Sequence, residues 1–273
     1  MPRLAPDLCC RLTLALALAC VLPTLRPPSA RAEGRVFLQS YTPYLDERGE
    51  SEIGLWLTSR TGRHDPAESV AWQWRAEWEY ALRDRLTLAA YLNFVRPPGG
   101  PAGFDSPSLE AIWRLAEPGR FPGDPALYLE VTESGRELEF EPRLLLAHRG
   151  PRWIATANLI GEFAFRHDDE ERLDDGNVLH REAAAEFTAG VAAYAGPRLS
   201  LGIELRGRSE YPNFGHRSAA MLSLGPSLGF GLGEARCAIG VFSQVSGTPT
   251  TDGSRDLADF ERTQVRATVS FEL

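Results

Sequence analysis

The sequence contains no lysine, so all 29 of its basic residues are arginine. Beyond residue 32 it also lacks any uninterrupted apolar stretch of 18 residues. A helix that crosses a bilayer needs about 20 predominantly apolar residues, which excludes a helical membrane protein. Cysteine is scarce, and three of the four cysteines (Cys9, Cys10 and Cys20) lie in an opening segment that reads as an export signal. Arg3 and Arg11 give it a basic start, Leu12 to Leu22 a short apolar run, and Ala30-Arg31-Ala32 a small-x-small cleavage pattern. Cleavage near Ala32 leaves Cys237 alone, so the exported chain has no intramolecular disulfide to rely on. Positive charge is short too. The mature chain carries 25 arginines against 36 carboxylates, a formal charge of −11. Such a chain is a poor ligand for nucleic acid.

What the sequence does contain is clearest in Val70 to Leu82, VAWQWRAEWEYAL. Alternate residues fall into an apolar set (Val70, Trp72, Trp74, Ala76, Trp78, Tyr80, Leu82) and a polar set led by Gln73, Arg75, Glu77 and Glu79. A period of two is a β-strand with two unlike faces. Three Trp and a Tyr suit a face that meets hydrocarbon and headgroups, and the charged face suits a lumen. Similar alternation recurs at 52–59, 86–95, 109–116, 126–132, 137–148, 153–165, 182–193, 199–209, 220–230, 235–245 and 264–273. The pattern predicts an all-β protein, a closed antiparallel transmembrane β-barrel of about 12 strands over residues 51–273, preceded by a signal peptide over 1–32. Residues 33–50 are irregular and belong either in the periplasm or inside the barrel. Pro142 has no amide to donate, which predicts a bulge or weak pairing in the sixth strand.

The links alternate in length. Short turns at 83–85, 148–152, 195–198 and 232–234 are interleaved with longer polar links at 60–69, 96–108, 166–181, 210–217 and 246–262. Links 117–125 and 133–136 depart from that alternation. Short turns on one side and long loops on the other are the asymmetry of an outer-membrane barrel. This topology puts aromatics at membrane interfaces: Trp72, Trp74, Phe94, Phe165 and Tyr211 at the loop ends, and Tyr80, Trp113, Trp153, Phe230 and Phe271 at the turn ends.

The closing residues, RATVSFEL, resemble the carboxy-terminal signal of bacterial outer-membrane barrels, with Phe271 at the penultimate aromatic position and Leu273 in place of a terminal Phe. The resemblance implies delivery by the outer-membrane insertion machinery of a Gram-negative bacterium and a surround of outer-membrane lipid. More narrowly, ATANLIGEF (155–163) and SLGPSLGF (223–230) resemble uncharacterised transporter barrels of the phenol meta-degradation type.

The expected lumen-facing charges are Arg75, Glu77, Glu79, Glu110, Arg114, Glu130, Glu137, Glu139, Glu141, Arg143, Glu162, Glu186, Glu204, Arg206 and Arg266. In a water-filled channel they would tune selectivity; paired across strands, they would instead close a narrow lumen. Passive or facilitated passage of a small solute is the expected activity. A sealed barrel acting through its loops is the alternative, and a lipid hydrolase a third. Outer-membrane phospholipase A carries His, then Ser two residues later, then Asn-Gly. Here His216-Arg217-Ser218 is followed by Ala219-Ala220, on the outward parity and with no Asn to orient the His. No enzyme activity, cofactor or metal is expected. The acidic loop 167–175 (Asp168, Asp169, Asp174, Asp175) lacks calcium-loop spacing and reads as a solvated loop.

Overall fold

A computed structural model describes residues 35–64, 70–167 and 179–273. Their twelve strands are β1 (Ser51–Thr61), β2 (Val70–Arg83), β3 (Leu86–Arg96), β4 (Gly103–Arg114), β5 (Ala126–Glu133) and β6 (Glu137–Arg149), then β7 (Trp153–His167), β8 (Leu179–Gly196), β9 (Leu199–Pro212), β10 (Ala219–Leu232), β11 (Ala235–Thr248) and β12 (Thr263–Glu272). Each strand pairs antiparallel with its sequence neighbours, and β1 pairs with β12 to close the barrel. Closure leaves no open edge and satisfies the backbone internally, as crossing a bilayer requires. The signal segment and the acidic loop residues 168–178 lie outside the described residues.

Alternation fixes which side chains point out. Leu109 is 68% and Leu159 60% exposed, whereas their lumen-side neighbours Glu110 and Asn158 are 3% and 1% exposed. Trp113, Trp153, Phe94 and Phe271 all lie on the exposed outer face. Trp72 stacks on Trp74, and Trp78 on Tyr80, along the same side of β2.

Two local expectations are modified. β4 begins at Gly103, six residues before the segment starting at Leu109, because Gly103 and Phe104 pair with Val95 and Phe94 across a register shift. The rings of Phe94 and Phe104 meet edge to face at 5.7 Å, and this cross-strand contact joins the pairing of 106–108 with Tyr91 to Asn93 in overriding the loop-like composition of 103–108. At Pro142 the strand is not bulged. Its pairing with β5 continues, while the ladder to β7 skips from Phe140 to Arg143 without changing register. The pairs of Glu141 and Pro142 with β7 are missing, which is the weak pairing expected of a residue with no amide, and the alternation stays intact.

Two segments fold into the barrel. Residues 35–50 run inside the turn end before entering β1, with Phe37, Leu38, Gln39 and Ser40 buried. At the loop end, the link between β11 and β12 turns inward and buries Asp256, Leu257 and Phe260. Phe260 packs on Ala219 and Met221.

Candidate functional site

The amino-terminal segment is held mainly by its own main chain. The Glu204 carboxylate on β9 accepts three successive amides, those of Leu38 (2.9 Å), Gln39 (2.7 Å) and Ser40 (3.2 Å). Asn158 on β7 reads Tyr41 from both sides: its Oδ1 accepts the Tyr41 amide at 2.7 Å, and its Nδ2 donates to the Tyr41 carbonyl at 3.0 Å. Thr156 donates to that carbonyl at 2.7 Å, and Arg266 to the Leu38 carbonyl at 2.7 Å. Two glycines make room. A Cβ on Gly190 would lie 2.7 Å from the Phe37 ring, and one on Gly240 would lie 2.8 Å from Leu38 Cδ1.

Side chains of the segment then join the wall charges. Arg35 donates to Glu77 at 2.5 Å and lies 3.7 Å from Glu79. Its guanidinium stands 4.5 Å from the Tyr41 ring centroid, and that of Arg143 stands 4.6 Å from the same ring. A cation beside an aromatic face is favourable, more so when both are desolvated. Burial pushes the Tyr41 phenol above its ordinary value, against the opposing pull of Arg35. Burial raises the Asp46 carboxyl to about 6, helped by Glu52 and opposed by Arg236.

The wall itself is laced with pairs. Glu77 also accepts Trp56 Nε1 (2.6 Å) and the Tyr91 hydroxyl (2.8 Å), and Tyr91 bridges to Glu110 (2.5 Å). Arg75 pairs with Glu130, which also accepts from Tyr128 at 2.6 Å. Arg143 Nε donates to Glu141 at 2.6 Å. Arg206 donates to Glu186 at 2.8 Å. Arg208 chelates Glu162 at 2.6 and 2.9 Å and donates to Glu210 at 2.6 Å. Nearer the mouths, Arg114 reaches Glu117 (3.3 Å) and Arg166 pairs with Glu137 (2.6 Å). Of the fifteen charges expected in the lumen, Glu139 makes no ion pair or hydrogen bond among the described residues, and Arg266 meets no carboxylate. Carboxylate oxygens of Glu139, Glu141 and Glu162 lie within 4.8 Å of one another, close enough to repel.

The two inward segments divide the space. At the turn end, a cavity of about 80 Å³ remains beneath Arg35, Tyr41, Tyr44 and Asp46. At the loop end, a chamber of about 610 Å³ is bounded by Arg60, Arg206, Arg208, Glu139, Glu162 and Glu261, among others.

Several participants lay outside the expected set. Arg60 opens the polar link 60–69 by composition, yet it lies on the inward parity of β1, beside Glu261. Arg208 follows Arg206 on the same parity of β9 and could have been read from it. Arg35 and Tyr41 carry no periodic signal. Glu261 lies in a polar link whose buried Leu257 and Phe260 were the available hint.

His216 and Ser218 lie in the exposed link before β10, not on its outward face, because the strand begins at Ala219. The Ser218 hydroxyl donates to the Glu210 carbonyl at 3.4 Å, and His216 has no hydrogen-bonded partner among the described residues. This geometry does not assemble a nucleophile and base.

No protein-family model matches the chain, and no curated protein matches it. Solved structures do resemble it. An outer-membrane channel from Pseudomonas putida F1 superposes with a TM-score of 0.60 at 13% identity, over 85% of this chain and 98% of that one. The NanC porin gives 0.56 at 10% identity, over 81% and 100%. The KdgM porin, solved in complex with disordered oligogalacturonate, gives 0.51 at 8% identity, over 81% and 98%. The fold is a closed twelve-stranded antiparallel β-barrel like that of these outer-membrane proteins. At these identities the likeness speaks to fold alone.

Proposed function

We propose that the protein is an outer-membrane channel for passive or facilitated passage of a small solute through a charged, constricted lumen. In this reading the signal is removed near Ala32, the insertion machinery places the barrel among outer-membrane lipid, and the short turns face the periplasm. The observation that carries the reading is the way residues 35–41 are held. A continuous apolar core would seal a barrel permanently. Here the occupant rests on Glu204, Asn158 and Thr156, polar groups that water can replace. The charged chamber beyond it is open enough to admit a solute. The resemblance of 155–163 and 223–230 to barrels of the phenol meta-degradation type agrees with transport and names no solute.

The test is single-channel recording on the purified full-length protein in a planar bilayer, with heat-modifiable gel mobility as the check on folding. Discrete conductance steps are expected. A folded barrel that passes no current would favour the sealed reading, for which Phe37 and Leu38, seated in their own apolar niches, are the specific support. Recovery as a soluble periplasmic protein would end both.

A further inference from the structure

The loop-end chamber has an uneven distribution of charge that its ion pairs do not cancel. In the ring of twelve strands, β1 and β12 stand opposite β7 and β6. Arg60 lines the chamber on the β1 side, whereas Arg266 on β12 faces the lumen and does not line it. Arg266 has no carboxylate partner among the described residues, and its hydrogen bonds go to Thr58 and the Leu38 carbonyl. On the β6 and β7 side lies Glu139, without an ion pair or hydrogen bond among the described residues and pressed by Glu141 and Glu162. Unbalanced charges on opposite arcs of a low-dielectric wall set up a field across the chamber.

Glu261 occupies the positive side of that chamber. Its carboxylate lies 3.7 Å from Arg60 Nε and 3.8 Å from Arg206 Nη1, an ion-pair distance to both and a hydrogen-bond distance to neither. The main chain around it is fixed: Phe260 is packed on Ala219 and Met221, and the Arg262 amide donates to Thr61 at 3.0 Å. Only the side chain need move to vacate the position. A solute carboxylate would then replace one carboxylate with another, with little net gain at the arginines. The surplus has to come from the other end of the solute, where a cation would meet the partnerless Glu139.

We infer that this chamber takes a small zwitterion, its carboxylate between Arg60 and Arg206 in the place now held by Glu261 and its ammonium group against Glu139. A volume of about 610 Å³ suits an extended amino acid or a short peptide. A plain anion would give up the Glu139 contact, and a plain cation would leave Arg60 and Arg206 to Glu261. The inference rests on the channel reading for its role in transport, but binding does not require conduction.

The experiment is calorimetric titration of the detergent-solubilised full-length protein with three probes of one length: aminohexanoate, hexanoate and hexylammonium. Aminohexanoate is expected to bind roughly tenfold more tightly than either singly charged probe, one ion pair's worth. Glu261→Gln removes the tethered competitor and should tighten aminohexanoate by roughly fivefold. Glu139→Gln should erase its advantage over hexanoate. Equal binding of hexanoate and aminohexanoate would overturn the inference in favour of an anion site, and preference for hexylammonium in favour of a cation site. Absence of binding, or indifference to Glu261→Gln in a protein that keeps its heat-modifiable mobility, would also overturn it. The wild-type comparison needs no variant to fold. Solute-free conductance in a bilayer separately decides the channel reading.

Discussion

Glu204→Ala removes the acceptor for three consecutive amides of the amino-terminal segment, at 2.9, 2.7 and 3.2 Å. Glu204 is 1% exposed, so those bonds are shielded from bulk water. Hydrogen bonds to a charged group contribute about 1.5–3 kcal/mol each when their loss leaves the partner buried. A segment released into a wet lumen recovers part of that from water, so about 1 kcal/mol per amide is the safer figure. The total of about 3 kcal/mol shifts the ratio of released to docked segment on the order of a hundredfold. Tyr41 keeps its bonds to Asn158 and Thr156, and Arg35 its pair with Glu77, so docking is weakened rather than abolished. The expected outcome is a larger or more frequently open conductance, with protease cleavage within residues 35–46 and unchanged heat-modifiable mobility of the barrel. Wild-type current together with wild-type protease resistance in a folded Glu204→Ala protein would refute the argument, because the three bonds would then not be what holds the segment.

Three further outcomes are expected. Cys237 shares the outward parity of Ile239 and Val241, both exposed on the outer face, so a lipid-soluble thiol reagent should label it in membranes and an impermeant one should not; rapid impermeant labelling would mean that β11 is misregistered. Asp46 is raised in the fold from 3.8 to about 6, so it is protonated when docked and ionised when released between those values. Docking therefore weakens as pH rises from about 4 to 6, and Asp46→Asn should protect residues 35–46 from protease at pH 8 but not at pH 4; equal protection at both would contradict the sign. Glu137, Glu139 and Glu141 differ in partners, so Glu139→Gln should raise thermal stability by relieving repulsion, whereas Glu141→Gln should lower it by leaving the buried Arg143 short of its counter-charge; identical melting shifts would show that pairing on β6 is not as described.

The barrel was legible because each of its strands repeats one constraint. Lipid on one side and water or wall charges on the other force a period of two, and β2 shows it over its whole length. Strand ends were less legible. Gly103 to Ser108 is rich in turn residues, and pairing with Tyr91 to Val95 makes it strand, with Phe104 against Phe94 and Asn93 bonded to Ser106 and Ser108. The lumen contents were the hardest to foresee. Glu204 could be placed on the inner face by parity, but what it binds is main chain, and a main-chain amide leaves no mark in the residue types of 38–40. The nearest signals were Gly190 and Gly240, each on an inward position where a Cβ would collide with Phe37 or Leu38. Glycine facing a lumen points to something passing close by.

Net charge was the other place where composition pointed too simply. A formal −11 suggests a cation-preferring path if any path exists. Selectivity, however, is set by charges within about one Debye length of the ion, roughly 8–10 Å at physiological salt. Within that range the lumen carboxylates are mostly committed: Glu77 to Arg35, Glu130 to Arg75, Glu141 to Arg143, and Glu162 to Arg208. Glu204 spends its charge on amides and Glu110 meets Tyr91. Around the loop-end chamber, Glu139 makes no ion pair among the described residues, while Arg60 and Arg206 share the carboxylate of Glu261 at 3.7 and 3.8 Å. On the proposed channel reading, a wall built this way would discriminate weakly between simple cations and anions. On the proposed zwitterion reading it would favour solutes that carry both charges over solutes that carry one, because only the former meet both sides at once. On the proposed channel reading, the excess negative charge of the chain therefore has less bearing on selectivity than where Glu139, Arg60 and Arg206 stand in the chamber.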